Sequence, residues 1–132
     1  MNGAALPGLA KARGGPTPFE RVGGFASVSR IVMTFYGRVL DSEQLAPWFA
    51  ATDMRTLIDH QTKFVAALMG GPAAYSDDAL HRVHARLGID RAAFDEMKAL
   101  LAEAMTDHGV APDDVEATVA EVERCAPLIV SA

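Results

Sequence analysis

The sequence predicts an all-α domain, and three observations carry that prediction. Apolar residues recur at helical spacing in four long segments. Residues that start or stop helices stand between those segments, with Thr, Asp and Pro before them and Gly after. No segment alternates apolar and polar residues as a half-buried strand would. At 132 residues, half of them apolar, the chain fits one domain with a substantial core. The expected division is a flexible N-terminal arm over 1–17, rich in Gly and Pro, and a helical domain over 18–132.

Thr17-Pro18-Phe19-Glu20 has the form of a helix start, and Gly23-Gly24 stops that short helix. Val28, Ile31, Val32, Phe35, Tyr36 and Val39 then fall within an arc of about 140° on one helix face. Asp41-Ser42 ends the helix, and Leu45 to Phe49 makes a compact apolar corner. Thr52-Asp53 caps a third helix with Met54, Leu57, Ile58, Gln61, Phe64, Val65 and Leu68 along its stripe, closed by Gly70-Gly71-Pro72. After a loop containing Tyr75, Asp77-Asp78 opens a short helix expected to end near Gly88. Asp90 opens a long one with Phe94, Met97, Leu100, Leu101, Ala104 and Met105 inward, stopped by Gly109. The last helix starts at Pro112 and points Val115, Val119, Val122, Ala126 and Ile129 inward.

Composition excludes several classes. The net charge is −5 with no basic stripe, which argues against nucleic acid as the main partner. No apolar run approaches the roughly 20 residues of a membrane span, and the first residues do not read as a signal peptide. With the single Cys125 there is no internal disulfide and no Cys-x-x-Cys-His, so a reducing, cytoplasmic setting is expected. Cys125 itself reads as a small buried hydrophobe.

Two features carry chemistry. On the short helix, His84 lies inside the stripe of Leu80, Val83 and Leu87, with His81 at its edge. An inward imidazole is either a hydrogen-bonded core histidine or a ligand for metal or haem iron. On the third helix Leu57, His60, Gln61 and Phe64 share an arc of about 100°. Tyr36 brings another polar group to the apolar face of its own helix. These groups form either an internal hydrogen-bond network or the polar part of a pocket.

Residues 19–126 resemble the first group of the truncated haemoglobins. The resembling stretches are Phe19-Glu20-Arg21-Val22-Gly23-Gly24, Phe35-Tyr36-Gly37-Arg38-Val39-Leu40-Asp41 and Leu45-Ala46-Pro47-Trp48-Phe49. His60-Gln61-Thr62-Lys63-Phe64, Gly70-Gly71-Pro72 and His84-Ala85-Arg86-Leu87-Gly88-Ile89 follow in the same order. The resemblance implies a two-over-two helical sandwich, a truncated globin, around one haem b per chain. It implies His84 as the proximal iron ligand and Tyr36 and Gln61 as distal groups meeting a bound gas. Phe49 and Phe64 would pack on the haem, with Met54, Leu57 and Leu80 also in its pocket, and Tyr75 would meet a propionate. Two roles stay open for His60: a sixth iron ligand, as some members have, or a rim residue near solvent or a propionate.

Three positions depart from the family pattern. Asp77 stands where a glycine often follows the loop tyrosine, Trp48 where a smaller aromatic is frequent, and Val65 where some members place a phenylalanine thought to gate an apolar tunnel. The expected function is oxygen binding at ferrous haem, with nitric oxide and carbon monoxide as further ligands, in a monomer. The alternatives are nitric oxide detoxification as a dioxygenase served by a separate reductase, a bis-histidyl redox protein, and a haem-free helical interaction module.

Overall fold

The computed structural model describes residues 15–131. Most of the expected arm at 1–17 lies outside them. Its last residue belongs to the domain: Thr17 is buried, accepts a hydrogen bond from the Glu20 amide and receives the Glu20 carboxylate on its own amide, a capping box. Among the described residues every regular element is helical.

Helix α1 (Pro18–Val22) leads directly into α2 (Gly24–Asp41). The two glycines thus join helices as well as stopping one. Gly23, at φ 110°, caps α1 in the left-handed region, and Gly24 opens α2. A 3₁₀ turn (Ala46–Phe49) forms the apolar corner, and α3 (Met54–Leu68) follows, capped by Asp53 through the Arg55 and Thr56 amides. The other helices are α4 (Asp77–His84), α5 (Arg91–Asp107), α6 (Pro112–Arg124) and α7 (Ala126–Ile129). The pair α2 and α3 packs on the pair α5 and α6, mainly through α2 against α5. Val28, Ile31, Val32 and Val39 of α2 are fully buried between them, against Ala104 and Met105 of α5.

Three local expectations change. Helix α4 is capped by Ser76, whose hydroxyl accepts from the Ala79 amide, and ends at His84, four residues before Gly88. Its end tightens because the Leu87 amide turns back to the His84 carbonyl. The last helix breaks at Cys125 because Pro127 has no amide proton to continue the ladder, so Ala126 and Ile129 belong to α7. On α6 the deepest residues are Asp114 and Thr118, while Val115, Val119 and Val122 are half-buried. Both polar groups carry their partners with them. Arg21 donates through Nε and Nη2 to the two oxygens of Asp114 at 2.9 and 2.7 Å, and the Thr118 hydroxyl donates to the Asp114 carbonyl. Cys125 is fully buried, as expected of a small hydrophobe.

Gly71 has a steric role. A Cβ there would stand 2.6 and 2.7 Å from the Phe19 ring carbons Cδ1 and Cγ, and 3.0 Å from the Ala66 carbonyl. The Phe19 amide also donates to the Met69 carbonyl, which fixes α1 against the end of α3. Gly71→Ala is therefore expected to cost about 1–3 kcal/mol of stability by overpacking. Urea unfolding of both proteins measures it, and an unchanged midpoint would remove the steric account.

Candidate functional site

A cavity of about 300 Å³ runs between the helical layers, within the size range of small-molecule pockets. Helix α2 contributes Phe35 and Tyr36, the 3₁₀ turn Trp48 and Phe49, and α3 Leu57, Gln61, Phe64 and Val65. Helix α4 and the turn after it contribute Leu80, Val83, His84 and Leu87. Phe94, Met97 and Leu101 of α5, with Val122 and Ile129, complete the wall. Nearly all of this lining is carbon, so each polar group in it stands out.

His84 is half-buried, and its Nδ1 lies 2.7 Å from the Leu80 carbonyl one turn earlier. A carbonyl can only accept, so Nδ1 carries the proton. In the neutral ring the Nε2 lone pair is then left for another partner, the tautomer an axial ligand needs. Among the described residues no three His, Cys, Asp or Glu side chains gather to hold a metal, so this imidazole is not part of a multi-residue ion site.

Tyr36 is 4 % exposed, with its ring edge-on to Phe49 at 5.7 Å and to Phe35 at 4.7 Å. Its hydroxyl has no hydrogen-bond partner among the described residues, and the Gln61 side chain has none either. The internal Tyr36–Gln61 bond considered from the sequence is therefore not formed. No fully buried side-chain polar atom among the described residues lacks a partner, so the Tyr36 hydroxyl opens onto the cavity. Burial pushes its phenol above the usual value of 10.0, which keeps it a proton donor.

Phe49, Phe64, Leu57 and Leu80 line the cavity together with Tyr36, Gln61 and His84. Three candidates stand outside the lining. His60 is exposed on α3. Met54 is half-buried against the core. Tyr75 sets its ring edge-on to Phe64 at 4.8 Å, accepts from Arg124 Nη2 at 2.9 Å and lies 3.6 Å from the Cys125 sulfur. Burial and the Cys125 thiol push its phenol up to about 12. Sequence reasoning missed the part played by Trp48, whose indole N–H donates to the Leu87 carbonyl at 2.7 Å across the edge of the cavity. The available signal was its place as the single tryptophan on an apolar corner.

A helical sandwich around an apolar cavity that His84 lines is the arrangement a globin needs, and comparison with known proteins shows the family. Residues 17–131 match the family model of bacterial-like globins, and the chain belongs to that family. Among its relatives, a group 1 truncated haemoglobin of Mycolicibacterium paratuberculosis is 35 % identical over 111 residues, covering 84 % of this chain and 82 % of that protein. Another, of Synechocystis, is 32 % identical over 110 residues, covering 80 % and 88 %. The truncated haemoglobin of Tetrahymena pyriformis in its Fe(III) form superposes with a TM-score of 0.81 at 26 % identity, over 89 % of this chain and all of that one. Within the family the chain is thus a group 1 truncated haemoglobin with the two-over-two fold, a haem protein that binds small gases. The residues present fit that group: an apolar cleft, a ring nitrogen with a free lone pair, and two polar side chains without partners.

Proposed function

We propose that this protein binds oxygen and related diatomic gases at a haem b held by His84, with Tyr36 and Gln61 meeting the gas. Haem b, when bound, would supply an iron able to take a nitrogen donor and a diatomic gas. The observation that carries the reading is the His84 tautomer: the Leu80 carbonyl fixes Nδ1–H and leaves Nε2 as the donor. Phe49, Phe64, Leu57 and Leu80 supply the apolar surface that holds the macrocycle and excludes water. Tyr36, packed between Phe35 and Phe49, holds its hydroxyl in a fixed position as donor to a gas atom bearing partial negative charge. Gln61 orients that hydroxyl or donates beside it.

His60 is exposed and outside the lining, which supports the rim role over the sixth-ligand role. The absorption spectrum of the haem-loaded, dithionite-reduced protein tests this. A five-coordinate, high-spin spectrum is expected, unchanged in His60→Ala. A low-spin, six-coordinate spectrum that becomes five-coordinate in His60→Ala would assign the iron to His60 and make gas compete with an internal ligand. Failure to take up haem at all would overturn the proposal as a whole.

A further inference from the structure

We infer that Trp48 is a positioning residue for the proximal helix, a clasp that holds His84 at its place in the cavity and slows the loss of haem; the haem part rests on the function proposed above. Helix α4 is lightly anchored. Of its eight residues only Leu80 is buried, and its main packing partner is the four-residue α7. Val83, on the same stripe as His84, and Leu87 just beyond face the cavity rather than another helix. The packing of α4 on the rest of the protein is thus carried mainly by Leu80 and α7.

The Trp48 indole adds a hydrogen bond to this packing. It sits on the 3₁₀ turn next to Phe49, on the side of the cavity that carries Tyr36, and its Nε1–H donates to the Leu87 carbonyl at 2.7 Å. Leu87 is joined in turn to His84, whose carbonyl accepts from the Leu87 amide at 3.1 Å. A short chain of hydrogen bonds thus runs from the distal corner through Leu87 to the last residue of α4. Indole nitrogen can only donate and the carbonyl can only accept, so the bond has one possible sense. A smaller aromatic at position 48, with no ring N–H, would leave the Leu87 carbonyl to water. Trp48 and Leu87 also line the cavity together with His84.

The test needs two readouts on the full chain. The first is transfer of ferric haem to an excess of a haem-free acceptor globin. The second is amide hydrogen exchange over residues 81–88 of the haem-free protein. Two changes remove the N–H: Trp48→Phe, and replacement of the single tryptophan by benzothienylalanine, which has the indole shape with sulfur in place of N–H. A neutral hydrogen bond corresponds to roughly two- to twelvefold in rate or equilibrium. Haem transfer is expected to quicken by that factor in both proteins. Exchange over 81–88 should rise by a similar factor, with the α2 and α5 amides unchanged. Exchange that rises over the whole molecule in both proteins would mean a merely structural role and overturn the clasp. So would wild-type values of both readouts in the benzothienylalanine protein. Absence of haem uptake by the wild type would overturn the proposed function instead, while the exchange over 81–88 still decides whether Trp48 holds α4.

Discussion

Replacement of His84 by alanine is expected to abolish ordinary axial ligation. The change removes the ring that lines the cavity and donates to Leu80, while Phe49, Phe64 and Leu57 remain as apolar surface. Haem should then associate only through hydrophobic contact, with affinity lower by roughly a hundredfold or more, which is about 3 kcal/mol. Added imidazole fills the space left by the ring and should restore both the spectrum and much of the affinity. Haem titration followed by absorption, with and without imidazole, measures both effects. Wild-type affinity and spectrum in His84→Ala would remove His84 as the iron ligand.

Tyr36→Phe is expected to speed oxygen release by about 10- to 150-fold, the equivalent of the 1.5–3 kcal/mol of a hydrogen bond to a charge-bearing group. The substitution keeps the ring that packs on Phe35 and Phe49 and deletes only a hydroxyl with no protein partner, so the stability of the haem-free protein should barely change. Stopped-flow displacement of oxygen gives the rate, and an unchanged rate removes Tyr36 from the mechanism. The pH dependence has a definite sign. Burial raises the folded-state pKa of Tyr36 above 10.0, so the phenol stays protonated and the wild-type release rate should be flat from about pH 6 to 9. The stability linked to this proton is present below about pH 10 and is lost as the pH rises beyond it, because the unfolded chain ionises first.

The sequence reached furthest where one signal dominated. The 3.6-residue stripe of α2 put Val28, Ile31, Val32, Phe35, Tyr36 and Val39 inward, and all six are buried. The family was legible from short motifs in order, and the stripe holding His84 was visible beside them. Three things were not legible, each for a physical reason. The break at Pro127 competed with a continuing apolar period, and a single missing donor outweighed it. The burial of Asp114 and Thr118 depends on Arg21, far away in sequence, and local patterning carries no trace of such a partner. The outward position of His60 depends on where the cavity ends, and a helical wheel places a residue around an axis but gives no distance to the pocket.

The fork between Arg21 and Asp114 joins residues 93 positions apart. Before the core exists, closing so long a loop has an entropic cost with little enthalpy to offset it. The fork is therefore expected to form after α2, α3, α5 and α6 have packed, as the last buckle on an assembled body. Its energy then falls on the way out of the native state and scarcely on the way in. Through this fork the five-residue N-terminal helix bears on how long the folded molecule lasts more than on how quickly it is made.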